Sequence, residues 1–122
     1  MDSKLAVASL SALAQESRLA IYRLLVEAGP TGLAVGEIGA SLRVAPATLS
    51  FHLKELTHAG LARSRQEGRY VYYSANFQRM KSLLGYLSEN CCARDGAGAD
   101  CAPGCGPGNA AAGRARRDAS TT

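Results

Sequence analysis

The sequence predicts a mainly α-helical domain with a single β-hairpin, assembled as a homodimer through its first and last helices. Three observations carry this. Apolar residues recur at helical spacing in five separate stretches before residue 93. Two short strand-like runs flank Glu67-Gly68, a pair suited to a tight turn. Beyond residue 93 the composition changes to Gly, Ala, Pro and Arg with almost no large apolar side chain.

Residues 3–14 read as the first helix, with Leu5, Leu10 and Leu13 as apolar anchors. Residues 16–28 read as the second, where Leu19, Tyr22, Leu25 and Val26 recur at helical spacing and Gly29-Pro30 stops the run. Residues 35–42 form a short third helix carrying Val35, Ile38 and Leu42, followed by a turn at Arg43-Val44-Ala45. Pro46 suits the first position of a fourth helix because an N–H is not needed there. That helix runs to about Ala59, with Leu49, Leu53 and Leu56 on one face, and Gly60 ends it. Leu61–Gln66 and Arg69–Ser74 are the expected strands. A last helix is expected over Asn76–Cys92, striped by Phe77, Met80, Leu83, Leu84 and Leu87. The third and fourth helices with the hairpin make a winged helix-turn-helix. The apolar stripes of the first and last helices are wider than so small a core needs, which is why they are assigned to a dimer interface.

The expected organisation is a winged domain over residues 1–92, a flexible cysteine-bearing loop over 93–105 and a disordered tail over 106–122. The chain has 122 residues, 47% of them hydrophobic, so one modest core is the expectation. The formal net charge is +4 and the isoelectric point about 9.1, which favours polyanionic partners. No run approaches the ~18 apolar residues of a membrane span, and no signal peptide is visible at Met1-Asp2-Ser3-Lys4, so a cytoplasmic protein is expected. No Ser/His/Asp set or phosphate-binding glycine loop is evident, and an enzyme is not expected.

On the fourth helix, the face opposite the leucines is expected to carry Ala47, Thr48, Ser50, Phe51, His52, Lys54 and Glu55. Thr48, Ser50 and His52 are the candidates for base edges or phosphates in a major groove, and Lys54 suits a phosphate. The hairpin adds Arg63, Arg65 and Arg69, and such a wing lies along the DNA backbone or enters the minor groove. Each feature alone fits an ordinary solvated surface; their order along the chain favours operator DNA as the partner.

The run Leu49-Ser50-Phe51-His52-Leu53-Lys54-Glu55-Leu56-Thr57-His58-Ala59-Gly60-Leu61 resembles the recognition segment of the ArsR/SmtB metalloregulatory repressors. Gln66-Glu67-Gly68-Arg69-Tyr70-Val71-Tyr72-Tyr73 resembles their wing, and Arg18–Leu25 matches upstream. The resemblance covers residues 5–92 and implies a homodimeric repressor that leaves its operator when an inducer ion binds. It departs from the family at two metal sites. The third helix reads Val35-Gly36-Glu37-Ile38-Gly39 and lacks the family's Cys-x-Cys. Phe77, Arg79, Asn90 and Ala93 stand where the ligands of its zinc site would be.

The four cysteines, Cys91, Cys92, Cys101 and Cys105, all fall in one stretch. Reduced clustered thiols point to a soft metal or to redox chemistry. Cys91, Cys92 and Cys101 resemble the ligands of an arsenic-responsive subgroup, which implies trivalent arsenic or antimony as inducer. Soft thiolates suit such an ion. Neighbouring cysteines on a helix point ~100° apart, so a third thiol must fold back from the loop, where Gly96 and Gly98 give freedom. Cys105 is a substitute ligand or a bystander. The alternative is a repressor of the same fold responding to zinc, cadmium, lead or thiol oxidation.

Overall fold

The computed structural model describes residues 1–94, so Cys101, Cys105, most of the expected loop and the whole expected tail lie outside the described residues. The order of elements is α1 (Ser3–Leu13), α2 (Glu16–Ala28), β1 (Leu33–Ala34), α3 (Val35–Leu42), α4 (Pro46–His58), β2 (Ala62–Glu67), β3 (Tyr70–Ala75) and α5 (Phe77–Ser88). This is a winged helix-turn-helix. The chain divides into two units, Met1–Leu83 and Leu84–Thr122, the division falling within α5.

In the first unit, α1 starts where the Asp2 carboxylate accepts from the Leu5 N–H at 2.8 Å. The Gln15 side chain does the same for α2 through the Arg18 N–H. These side chains satisfy N–H groups that have no partner within the helix. At α3 the Glu37 carboxylate accepts from the Ala34 N–H at 2.8 Å, half of a capping box, since alanine has no oxygen to return the bond. The helix-turn-helix bend is made by Arg43, in the left-handed region at φ 56°, and by a bond from the Val44 N–H to the Gly39 carbonyl.

One core joins these elements. Ile21, Tyr22 and Leu25 of α2 meet Ile38 of α3, Leu49, Leu53 and Leu56 of α4, and Leu61, Ala62 and Ala75 around the sheet. The spacing of Leu49, Leu53 and Leu56 thus reads correctly as the buried edge of α4.

The sheet is three-stranded and antiparallel, ordered β1-β3-β2, where only a hairpin was expected. Leu33 pairs with Tyr73 and Ala34 with Tyr72. Gly32, at φ 75°, makes this possible: a Cβ there would overlap the Tyr73 carbonyl. The hairpin turn is Gly68-Arg69 rather than the expected Glu67-Gly68, because Glu67 pairs with Tyr70. Gly68 at φ 62° takes the first central position that type II′ turns reserve for glycine.

The described part of the second unit is the end of α5 and the turn after it. The helix stops at Ser88, four residues short of the expected Cys92. The Ser88 hydroxyl donates back to the Leu84 carbonyl at 2.8 Å. Asn90 and Cys92 then adopt φ of 61° and 62°, which helix cannot continue through.

Candidate nucleic-acid interface

Helix α4 is the second helix of the helix-turn-helix pair. Its Ala45 cap residue has no side-chain acceptor, and Pro46 opens the helix. Thr48, Ser50 and Lys54 are exposed, as are Ala47 and Phe51. His52 is not: it is 7% exposed and sits in the buried stripe with Leu49, Leu53 and Leu56. The expectation that it stands on the outward face is corrected by helix geometry. Residue 52 lies three positions after Leu49 and four before Leu56, so it shares their side. Its Nδ1 is buried with no hydrogen-bond partner, and its ring lies 5.7 Å from that of Phe51, tilted at 58°.

The wing presents its arginines in two different ways. Arg65 is held. Its Nε donates to the Glu67 carboxylate at 2.6 Å, its Nη1 donates to the Thr31 carbonyl at 2.9 Å, and its guanidinium lies 4.9 Å from the centre of the Tyr72 ring. Tyr72 is its direct cross-strand partner. Arg63 and Arg69 are exposed, the latter within the turn. The Arg65 charge is paired with Glu67, so Arg63 and Arg69 are the wing's arginines with no ion pair among the described residues.

Behind α4 is a set of contacts that the sequence did not announce. The Asn76 side-chain amide donates to the Gly60 carbonyl at 2.9 Å, and Arg79 Nη1 donates to the Ala59 carbonyl at 2.9 Å. The Asn76 carbonyl oxygen in turn accepts from the Arg79 N–H at 3.2 Å. The Asn76 N–H donates to the Leu61 carbonyl at 2.7 Å, and the Leu61 N–H to the Leu56 carbonyl at 3.0 Å. The first turn of α5 therefore caps the C-terminal end of α4, where carbonyl groups lack helical partners and carry the negative end of the dipole. Spacing signals cannot reveal this, because the partners lie about 20 residues apart.

The thiol pair has its own geometry. Cys91 and Cys92 stand in the turn beyond α5, not on the helix, and their sulfurs are 3.7 Å apart. Cys92 is disulfide-bonded in this structure, so the two sulfurs are not arranged here as a pair of thiolates on one ion. The left-handed backbone at Cys92 replaces the ~100° helical divergence expected for the two side chains. Among the described residues no group of three or more metal-ligating side chains gathers, and the third proposed ligand, Cys101, lies outside them.

Comparison with known proteins bears on what this surface does. Residues 13–65 match the helix-turn-helix domain family. The chain is 36% identical over 87 residues to the uncharacterized HTH-type transcriptional regulator YceK of Bacillus subtilis, covering 70% of this chain and 86% of the relative. It is 33% identical over 91 residues to the transcriptional activator HlyU of Vibrio cholerae, covering 75% and 82%. The solved structure of HlyU from Vibrio cholerae aligns with a TM-score of 0.60 at 32% identity, covering 75% of this chain and 99% of that one. A cadmium resistance regulatory protein, a CadC homologue of Staphylococcus aureus, is 34% identical over 73 residues, covering 60% and 59%.

The chain belongs to the ArsR/SmtB-type family of helix-turn-helix transcription regulators.

A helix-turn-helix transcription regulator works by binding DNA. No helix among the described residues of this regulator is long and apolar enough to cross a membrane.

Proposed function

We propose that this chain is a homodimeric transcriptional repressor that occupies operator DNA and leaves it on binding trivalent arsenic. The observation that carries the operator reading is α4. Its leucines are buried while Thr48, Ser50 and Lys54 stand exposed on the helix that a helix-turn-helix presents to the major groove. Arg65 and Arg69 on the wing supply contacts to the sugar-phosphate backbone or the minor groove. Dimerisation is supported by apolar side chains left exposed on α1 (Leu5, Val7 and Leu10) and on α5 (Leu84 and Leu87). A two-fold dimer places two recognition helices about 34 Å apart, one turn of duplex.

The inducer reading rests on the adjacent cysteines Cys91 and Cys92 just beyond α5, which in their reduced form would be ligands, with Cys101 as third ligand. The thiolates of Cys91, Cys92 and Cys101 would be the donors to a thiophilic trivalent ion. Its effect on operator affinity requires only that it prefer the DNA-incompetent state. Moving an equilibrium from 1:99 to 99:1 takes about 5.5 kcal/mol of differential binding. A relative named for cadmium resistance makes cadmium the second ion to test.

One titration tests both halves. Fluorescence anisotropy on promoter duplex should show tight binding that weakens steeply with salt, as expected when several phosphates are neutralised. Arsenite should then release the duplex from the unaltered protein but not from Cys91→Ser, Cys92→Ser or Cys101→Ser. Release that is the same in all four proteins refutes the thiol site. Absence of salt-dependent binding refutes the operator reading.

A further inference from the structure

Nine large hydrophobic residues are exposed among the described residues. Met1, Leu5, Val7, Leu10, Leu19, Leu84 and Leu87 lie at the N-terminus or on α1, α2 and α5. The remaining two are Phe51 and Tyr70, one on α4 and one on the wing. A dimer interface on α1 and α5 accounts for none of the exposure at Phe51, which is 55%.

The position of Phe51 on its helix is specific. At 100° per residue, the buried stripe of Leu49, His52, Leu53 and Leu56 defines one side of α4. The opposite direction falls on Ala47, Phe51, Lys54 and His58, all of them exposed. Phe51 therefore stands at the middle of the outward face, one helical turn before Lys54 and one after Ala47. Its ring lies tilted beside that of His52 but is not covered by it. A large apolar ring at the centre of a face otherwise made of small, polar and basic groups is unfavourable in water. It gains from a partner that is apolar at one spot and anionic around it. The major groove offers that combination: the C5-methyl of thymine is its apolar feature, and it is flanked by phosphates within reach of a lysine.

We propose that Phe51 is a specificity-determining residue that reads thymine in each operator half-site by packing on the C5-methyl group. This deepens the operator reading and rests on it. Ser50 and Thr48 beside it supply hydrogen bonds that several base edges can satisfy, whereas the ring discriminates by shape. Burying one methyl group against the ring is worth about a fourfold change in binding per half-site, taken from the usual transfer value of a methylene-sized group.

The test uses a duplex selected by the full-length protein from a random pool, and the same duplex with every thymine replaced by deoxyuridine. That exchange removes the methyl groups and keeps the base pairs. The unaltered protein should bind the deoxyuridine duplex at least about fourfold more weakly. Phe51→Ala should bind both duplexes equally. Phe51→Leu should keep part of the preference. Because the side chain is exposed, both variants should melt with the unaltered protein. Equal binding of the two duplexes by the unaltered protein overturns the proposal, and so does an undiminished preference in Phe51→Ala. If the unaltered protein selects no duplex and binds none in a salt-dependent way, the operator reading itself fails, an outcome distinct from either of these.

Discussion

Tyr22 and His52 each bury a polar atom that meets no hydrogen-bond partner, the phenol oxygen and Nδ1 respectively. An unsatisfied buried group costs roughly 1–3 kcal/mol relative to an apolar one of the same shape. Tyr22→Phe should therefore raise stability by about 1 kcal/mol, read as a higher midpoint in urea with an unchanged slope. Burial also pushes the Tyr22 phenol above its ordinary value of 10.0. The direction fixes the pH dependence. Below that ordinary value the group is neutral in both states. Above it the unfolded chain ionises first, so its contribution to stability is lost as pH rises toward the folded value. The fall in stability above about pH 10 should be shallower in Tyr22→Phe than in the unaltered chain. A lowered midpoint at neutral pH would show that the hydroxyl has a partner. His52 also marks a limit of sequence reading. Its register, three after Leu49 and four before Leu56, puts it in the buried stripe, whereas its polarity suggests the outward face; register decides.

At the scale of elements, the helices and the wing were legible because each repeats a pattern several times over. Strand β1 was not, since two residues cannot display alternation, and what places them is Gly32 against the Tyr73 carbonyl. Gly32→Ala combines a steric overlap with a left-handed backbone. It should cost at least about 2 kcal/mol and detach β1 from β3, seen as lost amide protection at the β1–β3 pairs. The α5 cap on α4 was equally hidden, because a side chain bonding a distant carbonyl leaves no periodicity. Arg79→Met keeps the stem and removes the bond to the Ala59 carbonyl. A charged donor to a carbonyl is worth about 1.5–3 kcal/mol where it is shielded from water. Arg79 is only partly buried, so a loss of about 1 kcal/mol or less is expected. Operator affinity should fall as the end of α4 frays, while binding to random DNA changes little. Equal losses on both duplexes would mean that the cap serves stability alone.

At the scale of the whole molecule, the proposed dimer must cover the apolar side chains that the described residues leave exposed. Val7 on α1 is 61% exposed among the described residues. In a two-fold interface the same patch appears on both subunits, so one substitution acts twice. Val7→Glu should leave the fold of each subunit intact, because the side chain touches little of its own core, yet place two carboxylates in or near the interface. Sedimentation should then report a monomer at micromolar concentration. The consequences for DNA follow from charge and avidity. In the proposed complex each subunit brings its own Lys54 and wing arginines to the phosphates, so the slope of log affinity against log salt should fall to about half. Affinity for a two-half-site operator should fall by about 100-fold or more, since the second recognition helix no longer arrives tethered to the first. Binding to random duplex should fall far less. If Val7→Glu remains a dimer and keeps the full salt slope, α1 does not form the interface.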